Sequence, residues 1–214
     1  MWDDVGYAGV GIESWYVLVP ALALWGAVLV TRAARGRPGW TGRHLPTRTA
    51  AGSYVAGVVH FTLFPIDVQR GPHANQTAWY EQVNWFPLLT ADVPSFVLNV
   101  VMLVPFGVLL PLVSARAASA GRVAALSLAF SASIEVAQLL IYVFARSGRS
   151  VDVNDLLANT LGGVLGYLLV KSLPALRRIA LPGSSLAGAR ETLLRRTSPA
   201  ASVVDRLEPR KPSR

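Results

Sequence analysis

Apolar residues run almost without interruption through five stretches, about Ile12 to Val30, Thr49 to Ile66, Pro94 to Val113, Val123 to Phe144 and Asn154 to Leu173, and charged residues gather between them. A hydrocarbon core of about 30 Å needs roughly 20 apolar residues as helix, because lipid offers no partner to a bare backbone amide or carbonyl. The pattern therefore predicts an all-α fold, a polytopic transmembrane helical bundle of about five helices, of which the second is the shortest. The first run has the length of a signal sequence but is flanked by Asp3, Asp4 and Glu13 rather than by basic residues, so it reads as a retained anchor.

Composition agrees: 52% of residues are hydrophobic and 15% charged, with a mean hydropathy of +0.43. A net charge of +8 would suggest nucleic acid in a soluble protein, but here the charges mark the ends of the apolar runs. All twenty basic residues except Arg70, Arg146 and Arg149 fall on one side of a five-span arrangement, and by the positive-inside rule that side is the cytoplasm. The amino end is then outside, the basic carboxyl end inside, and nucleic acid is not a partner. The chain has no cysteine, which excludes disulfides and thiolate chemistry.

The expected organisation is an anchor with a basic loop over residues 1–48, a membrane domain over 49–173 and a basic tail over 174–214, with a short inner-leaflet helix around Leu186 to Leu194 as an alternative for part of the tail. The stretch from Asp67 to Val93 forms an outer loop whose Trp79, Tyr80, Trp85 and Phe86 suit the headgroup level.

Polar residues inside the apolar runs need a reason, since a central carboxylate costs roughly 2.5–3.5 kcal/mol on insertion scales. Glu135 lies roughly 14 Å below the outer end of the fourth run, at 1.5 Å per residue, too deep to snorkel. Ser131, Glu135, Gln138 and Tyr142 share one helical face with it. In the fifth run Asp152, Asp155, Asn159, Gly162 and Gly166 share another, the glycines permitting close approach of a neighbouring helix. Asn99, followed by Pro105 and Gly107, comes from the third run, and Ser53, Gly57, His60 and Phe64 line one face of the second. Together they describe a polar pocket opening outward. Each residue also has a plainer use. The amides and glycines can be interhelical glue, His60 a packing residue, and Asp152 and Asp155 caps of the fifth helix. Glu135 has no such alternative, and Arg149 is its nearest cation in sequence.

This constellation resembles the VanZ-like family of bacterial integral membrane proteins. The likeness covers about Ala50 to Lys171. It runs through Leu63, Phe64 and Pro65, through Asn84 with Pro87, and from Asn99 by way of Met102 to Pro105, Phe106, Gly107, Leu110 and Pro111. It continues with Ser133, Glu135 and Gln138 and ends in Gly148, Arg149, Asp152, Asp155, Asn159, Thr160, Gly162, Gly163 and Gly166. Leu88 departs from it, standing where the family's Asn-x-x-Pro step is followed by Phe. The resemblance implies a multi-pass protein of the bacterial cytoplasmic membrane, in a family named for low-level resistance to the glycopeptide teicoplanin, with no established reaction.

Three functions stay open. The first is a cell-envelope factor binding a membrane lipid, a lipid-linked glycan precursor or a lipoglycopeptide through Asn84, Asn99, Glu135, Gln138, Arg149, Asp152, Asp155 and Asn159, the arginine meeting a phosphate or carboxylate. The second is an intramembrane enzyme on a lipid-linked substrate, with Glu135, Asp152 and Asp155 as its catalytic candidates. No nucleophile or metal motif accompanies them, and no cofactor or metal is implied. The third is a proton-coupled transporter using Glu135, which would need a homo-oligomer or a membrane partner, since five spans hold no inverted repeat.

Overall fold

A computed structural model describes residues 10–42, 44–71, 74–114, 117 and 119–174. Five helices dominate it: α1 (Trp15–Ala34), α2 (His44–Leu63), α3 (Val93–Val113), α4 (Ala120–Ala145) and α5 (Val153–Ser172). Each covers most of one predicted run. Four of them, α1, α3, α4 and α5, are long and apolar enough to cross a membrane. α2 is equally long at 20 residues but less apolar, because its first turns hold His44, Pro46, Thr47 and Arg48. Asp3 and Asp4, Arg43 and Arg116, and the tail with its stretch from Leu186 to Leu194 lie outside the described residues.

The chain runs up and down, so α1 packs on α2, α2 on α3, and α5 inserts beside α3 and α4. The α3–α5 seam is the closest, and glycine makes it so. A Cβ added at Gly162 would lie on the carbonyl oxygen of Val100, one at Gly166 on that of Val104, and one at Gly107 on that of Gly163. Bare backbone on both helices lets them approach within reach of dispersion and weak Cα–H···O contacts, the main attraction available where water is absent. Side-chain caps fix the helix starts. Asp92 accepts from Ser95 at α3, Ser119 from Arg122 at α4 and Asp152 from Asn154 at α5. The Ser95 hydroxyl and amide hold the exposed Asp92 carboxyl below its ordinary range.

Polar connections meet at one end of the bundle. β1 (Val10–Ile12) pairs antiparallel with β2 (Ile66–Val68), and β3 (Val83–Asn84) pairs parallel with β4 (Val151–Asp152). The segment between α2 and α3 is thus built onto the helix ends, with a short 3₁₀ turn at Trp79–Gln82. It grips the top of α4, where the Tyr142 hydroxyl donates to the Thr77 carbonyl and the Gln69 amide donates to the Ala145 carbonyl at 2.8 Å. Trp79, Tyr80, Trp85 and Phe86 stay exposed on its surface, as interfacial aromatics do.

Candidate ligand-binding site

α4 has 26 residues, about 39 Å of helix, and so exceeds the hydrocarbon core. Its last ten residues rise past the start of α5, and residues 146–150 turn back down beside them. This stagger corrects the depth read from the sequence. The backbone amide of Asp152 donates to Glu135 Oε2 at 3.1 Å, so Glu135 stands level with the first turn of α5. Gln138 marks the same level, since its Nε2 donates to the Thr62 carbonyl at the end of α2 at 3.1 Å. Arg149, which the sequence placed about 14 Å beyond Glu135, is carried down by the same turn. It is half-buried and its Nη2 donates to the Pro65 carbonyl at 3.3 Å.

The result is a cavity of about 390 Å³ between α2, α3, α4 and α5. Six of the eight predicted residues line it: Asn99, Glu135, Gln138, Arg149, Asp155 and Asn159. Phe61, Leu98 and Met102 complete an apolar side. Phe61 is 76% and Leu98 67% exposed, so the cavity has an apolar lip between α2 and α3.

Asn84 and Asp152 do not line the cavity; they brace it. Asn84 Nδ2 donates to Asp152 Oδ1 at 3.1 Å, and that carboxylate also accepts from the Asn154 amide at 2.8 Å as the cap of α5. Asp152 is therefore a cap, and its own amide holds Glu135. Asp155 accepts from Asn99 Nδ2 at 2.6 Å, which ties α3 to α5. Each carboxylate thus has its own donor. Among the described residues no group of three or more histidines and carboxylates is placed to hold a metal ion.

The amides are oriented by their neighbours. Thr62 presents a carbonyl to Gln138, so the NH2 group must face it and Oε1 must face away. Asn159 Nδ2 donates to Ser131 Oγ at 2.8 Å, while that hydroxyl points its proton toward the Asp155 carbonyl at 3.5 Å. Gln138 Oε1 and Asn159 Oδ1 are both buried and accept no hydrogen bond from any described residue. The sequence reading took Asn84, Asn99, Gln138 and Asn159 as general hydrogen-bonding groups. In the folded chain their NH2 groups are committed to protein, and the Gln138 and Asn159 oxygens are enclosed without a partner.

The expected polar face of α2 is not in the site. Ser53 and His60 are exposed, the His60 ring edge-on to Phe61 at 5.0 Å, and α2 turns Val58, Tyr54 and Thr62 inward instead. Tyr142 instead holds the segment between α2 and α3, through the Thr77 carbonyl. Sequence reasoning missed Asn154, which is 2% exposed and accepts the Leu88 amide at 2.6 Å. Leu88 has a left-handed backbone (φ 64°) and an exposed side chain, so the position where this chain lacks the family's Phe is held by its main chain. The polar run from Asp152 to Asp155 was the available signal for Asn154.

Four apolar helices of membrane-crossing length, three of them tied together by a polar cluster near one end, define a helical membrane protein. The VanZ/LLP1 family model matches residues 51–176, well over half the chain, and the chain belongs to that family. The match takes in α3, α4, α5, most of α2 and all eight candidate residues, and leaves α1 outside. Neither a curated protein nor a solved structure matches the chain significantly.

Proposed function

We propose that this protein is a cell-envelope factor that binds the headgroup of an amphiphile, a lipid-linked glycan precursor or a lipoglycopeptide, and that this binding underlies a link to glycopeptide tolerance. One observation carries the reading: a cavity of about 390 Å³ that combines a cation, two carboxylates and an apolar lip. Arg149 suits a phosphate or carboxylate. Glu135 and Asp155 ask for donors, which sugar hydroxyls or an amine supply. Phe61, Leu98 and Met102 suit the lipid chain. The orientation that fits is the cavity end facing out of the cytoplasm, in the bacterial cytoplasmic membrane.

The test is equilibrium binding of a synthetic lipid-linked diphosphate disaccharide, and separately of teicoplanin, to the purified chain. Arg149→Gln should weaken binding of the anionic amphiphile about tenfold or more, the worth of a charge-assisted bond. Unchanged affinity in a folded Arg149→Gln variant removes the headgroup reading. The meeting of Glu135 and Asp155 in one cavity favours a second reading, acid–base catalysis on the same ligand. Product formation in that assay, lost in Glu135→Gln with binding retained, distinguishes it.

A further inference from the structure

A second site stands at the opposite end of the molecule, independent of the cavity. Residues 35–42 leave the end of α1 and return toward the start of α2, and they carry Trp40. Two guanidiniums lie over its ring, Arg32 with its Cζ 4.6 Å from the centroid and Arg48 at 4.1 Å. Arg48 is fixed there by a hydrogen bond from Nε to the Gly39 carbonyl at 2.7 Å. Stacking on an aromatic face leaves a guanidinium's edge free to donate to an anion. The described carboxylates, Glu13, Asp67, Glu81, Asp92, Glu135, Asp152 and Asp155, all lie at or near the other end of the bundle. The two cations therefore have no acidic partner among the described residues.

An apolar groove runs up from this pair. It has a volume of about 460 Å³ between α1 and α2, with Val17, Ala21 and Trp25 on one wall and Gly52, Val55 and Val59 on the other. From Val17 to Trp25 it extends roughly 12 Å along the helix axis. Its lower end meets the cations, since the Trp25 and Trp40 ring centroids are 6.1 Å apart. Gly52 is needed for this wall: a Cβ there would occupy the position of the Trp25 indole. Arg32, Trp40 and Arg48 all precede residue 51, so the site lies largely outside the region shared with the family.

We propose that this groove binds an anionic phospholipid, its phosphate held on the edges of Arg32 and Arg48 over Trp40 and one acyl chain lying along α1 and α2 past Trp25. Charge complementarity selects this occupant: a zwitterionic lipid would bring a second cation to a pair that lacks an anion. Juxtamembrane arginines draw anionic lipid electrostatically, and here the ring and the groove add a defined place for headgroup and chain.

The test reconstitutes the full chain in phosphatidylcholine vesicles and titrates in acyl-brominated phosphatidylglycerol or, at the same mole fractions, acyl-brominated phosphatidylcholine, reading tryptophan quenching. Phosphatidylglycerol should quench a saturable component with about tenfold higher apparent affinity, and Trp25→Phe should abolish that component. Arg32→Gln leaves the Arg48–Gly39 bond in place and should lose most of the preference; Arg32→Gln with Arg48→Gln should lose all of it. Equal quenching by the two lipids, or a preference untouched in a folded double variant, overturns the proposal. A preference that emerges only after Glu191, Asp205 and Glu208 of the tail are neutralised also overturns it, because the arginines would then be occupied by the chain itself.

Discussion

Glu135 is held by a backbone amide, and that choice of partner determines how it can be tested. Gln keeps a carbonyl oxygen in the place of Oε2, so Glu135→Gln retains the bond from the Asp152 amide and loses only charge and proton. Its melting temperature should stay within a few degrees of the parent while affinity for a donor-bearing amphiphile falls about tenfold, measured on the same preparation. A folded variant that binds normally and leaves antibiotic susceptibility unchanged would make Glu135 a packing residue. Asn159 should behave differently, because it is buried and its Nδ2 ties α5 to α4. Asn159→Leu removes the donor to the Ser131 hydroxyl in the core and should lower stability by about 1–3 kcal/mol, read by denaturant titration in detergent. Asp152 separates cap from charge in the same way. Asn can still cap α5, so Asp152→Asn should fold normally, and because Asp152 only braces the cavity its binding should change less than in Glu135→Gln.

At the scale of helices, the α3–α5 seam depends on the absence of side chains. Gly166→Leu would drive a side chain into the Val104 carbonyl and should cost about 3 kcal/mol or prevent folding, whereas Gly57→Ala, which meets nothing within 4 Å, should be neutral or stabilising by up to about 1 kcal/mol. Equal melting temperatures for the two variants would contradict the seam. This close approach was legible in the sequence, since Gly162 and Gly166 sit one turn apart on the face that carries Asp155 and Asn159. The five helices were legible too, because apolar run length is itself the physical requirement for a span. Periodicity tells which face a residue occupies but not how far one helix slides past another. The stagger of α4 over α5 was therefore hidden, and with it the true level of Glu135 and the reach of Arg149. The two-residue ladder between β3 and β4 was equally hidden, as it joins Asn84 to Asp152 across 68 residues with almost no local strand signal. On α2 a single polar face was expected to point inward, but Ser53 and His60 are tolerable at the surface, and Tyr54 reaches the Met102 carbonyl just ahead of Pro105 instead.

For the molecule as a whole, the up-and-down helices sort charge by end. Arg32, Arg35, Arg37, Arg48, Arg122 and Lys171 lie at one end, and the seven described carboxylates lie at or near the other. From the positive-inside rule we propose that the arginine end faces the cytoplasm and the cavity end the outside. A chain without cysteine gives clean single-Cys variants, and the fold says where to put them. Ser147 is an unsuitable probe although it stands in a short polar loop, because it is only 3% exposed. Glu81 and Arg37 are exposed at opposite ends and are suitable. In intact cells an impermeant maleimide should label Glu81→Cys and leave Arg37→Cys unlabelled until the membrane is opened. The same result should hold after Arg70→Gln, Arg146→Gln and Arg149→Gln are added, since removing basic residues from the outer side only strengthens the bias. Labelling of Arg37→Cys from outside would invert the molecule. The cavity would then face the cytoplasm, where an extracellular glycopeptide cannot reach it, and the headgroup reading would have to turn to precursors still on the inner leaflet.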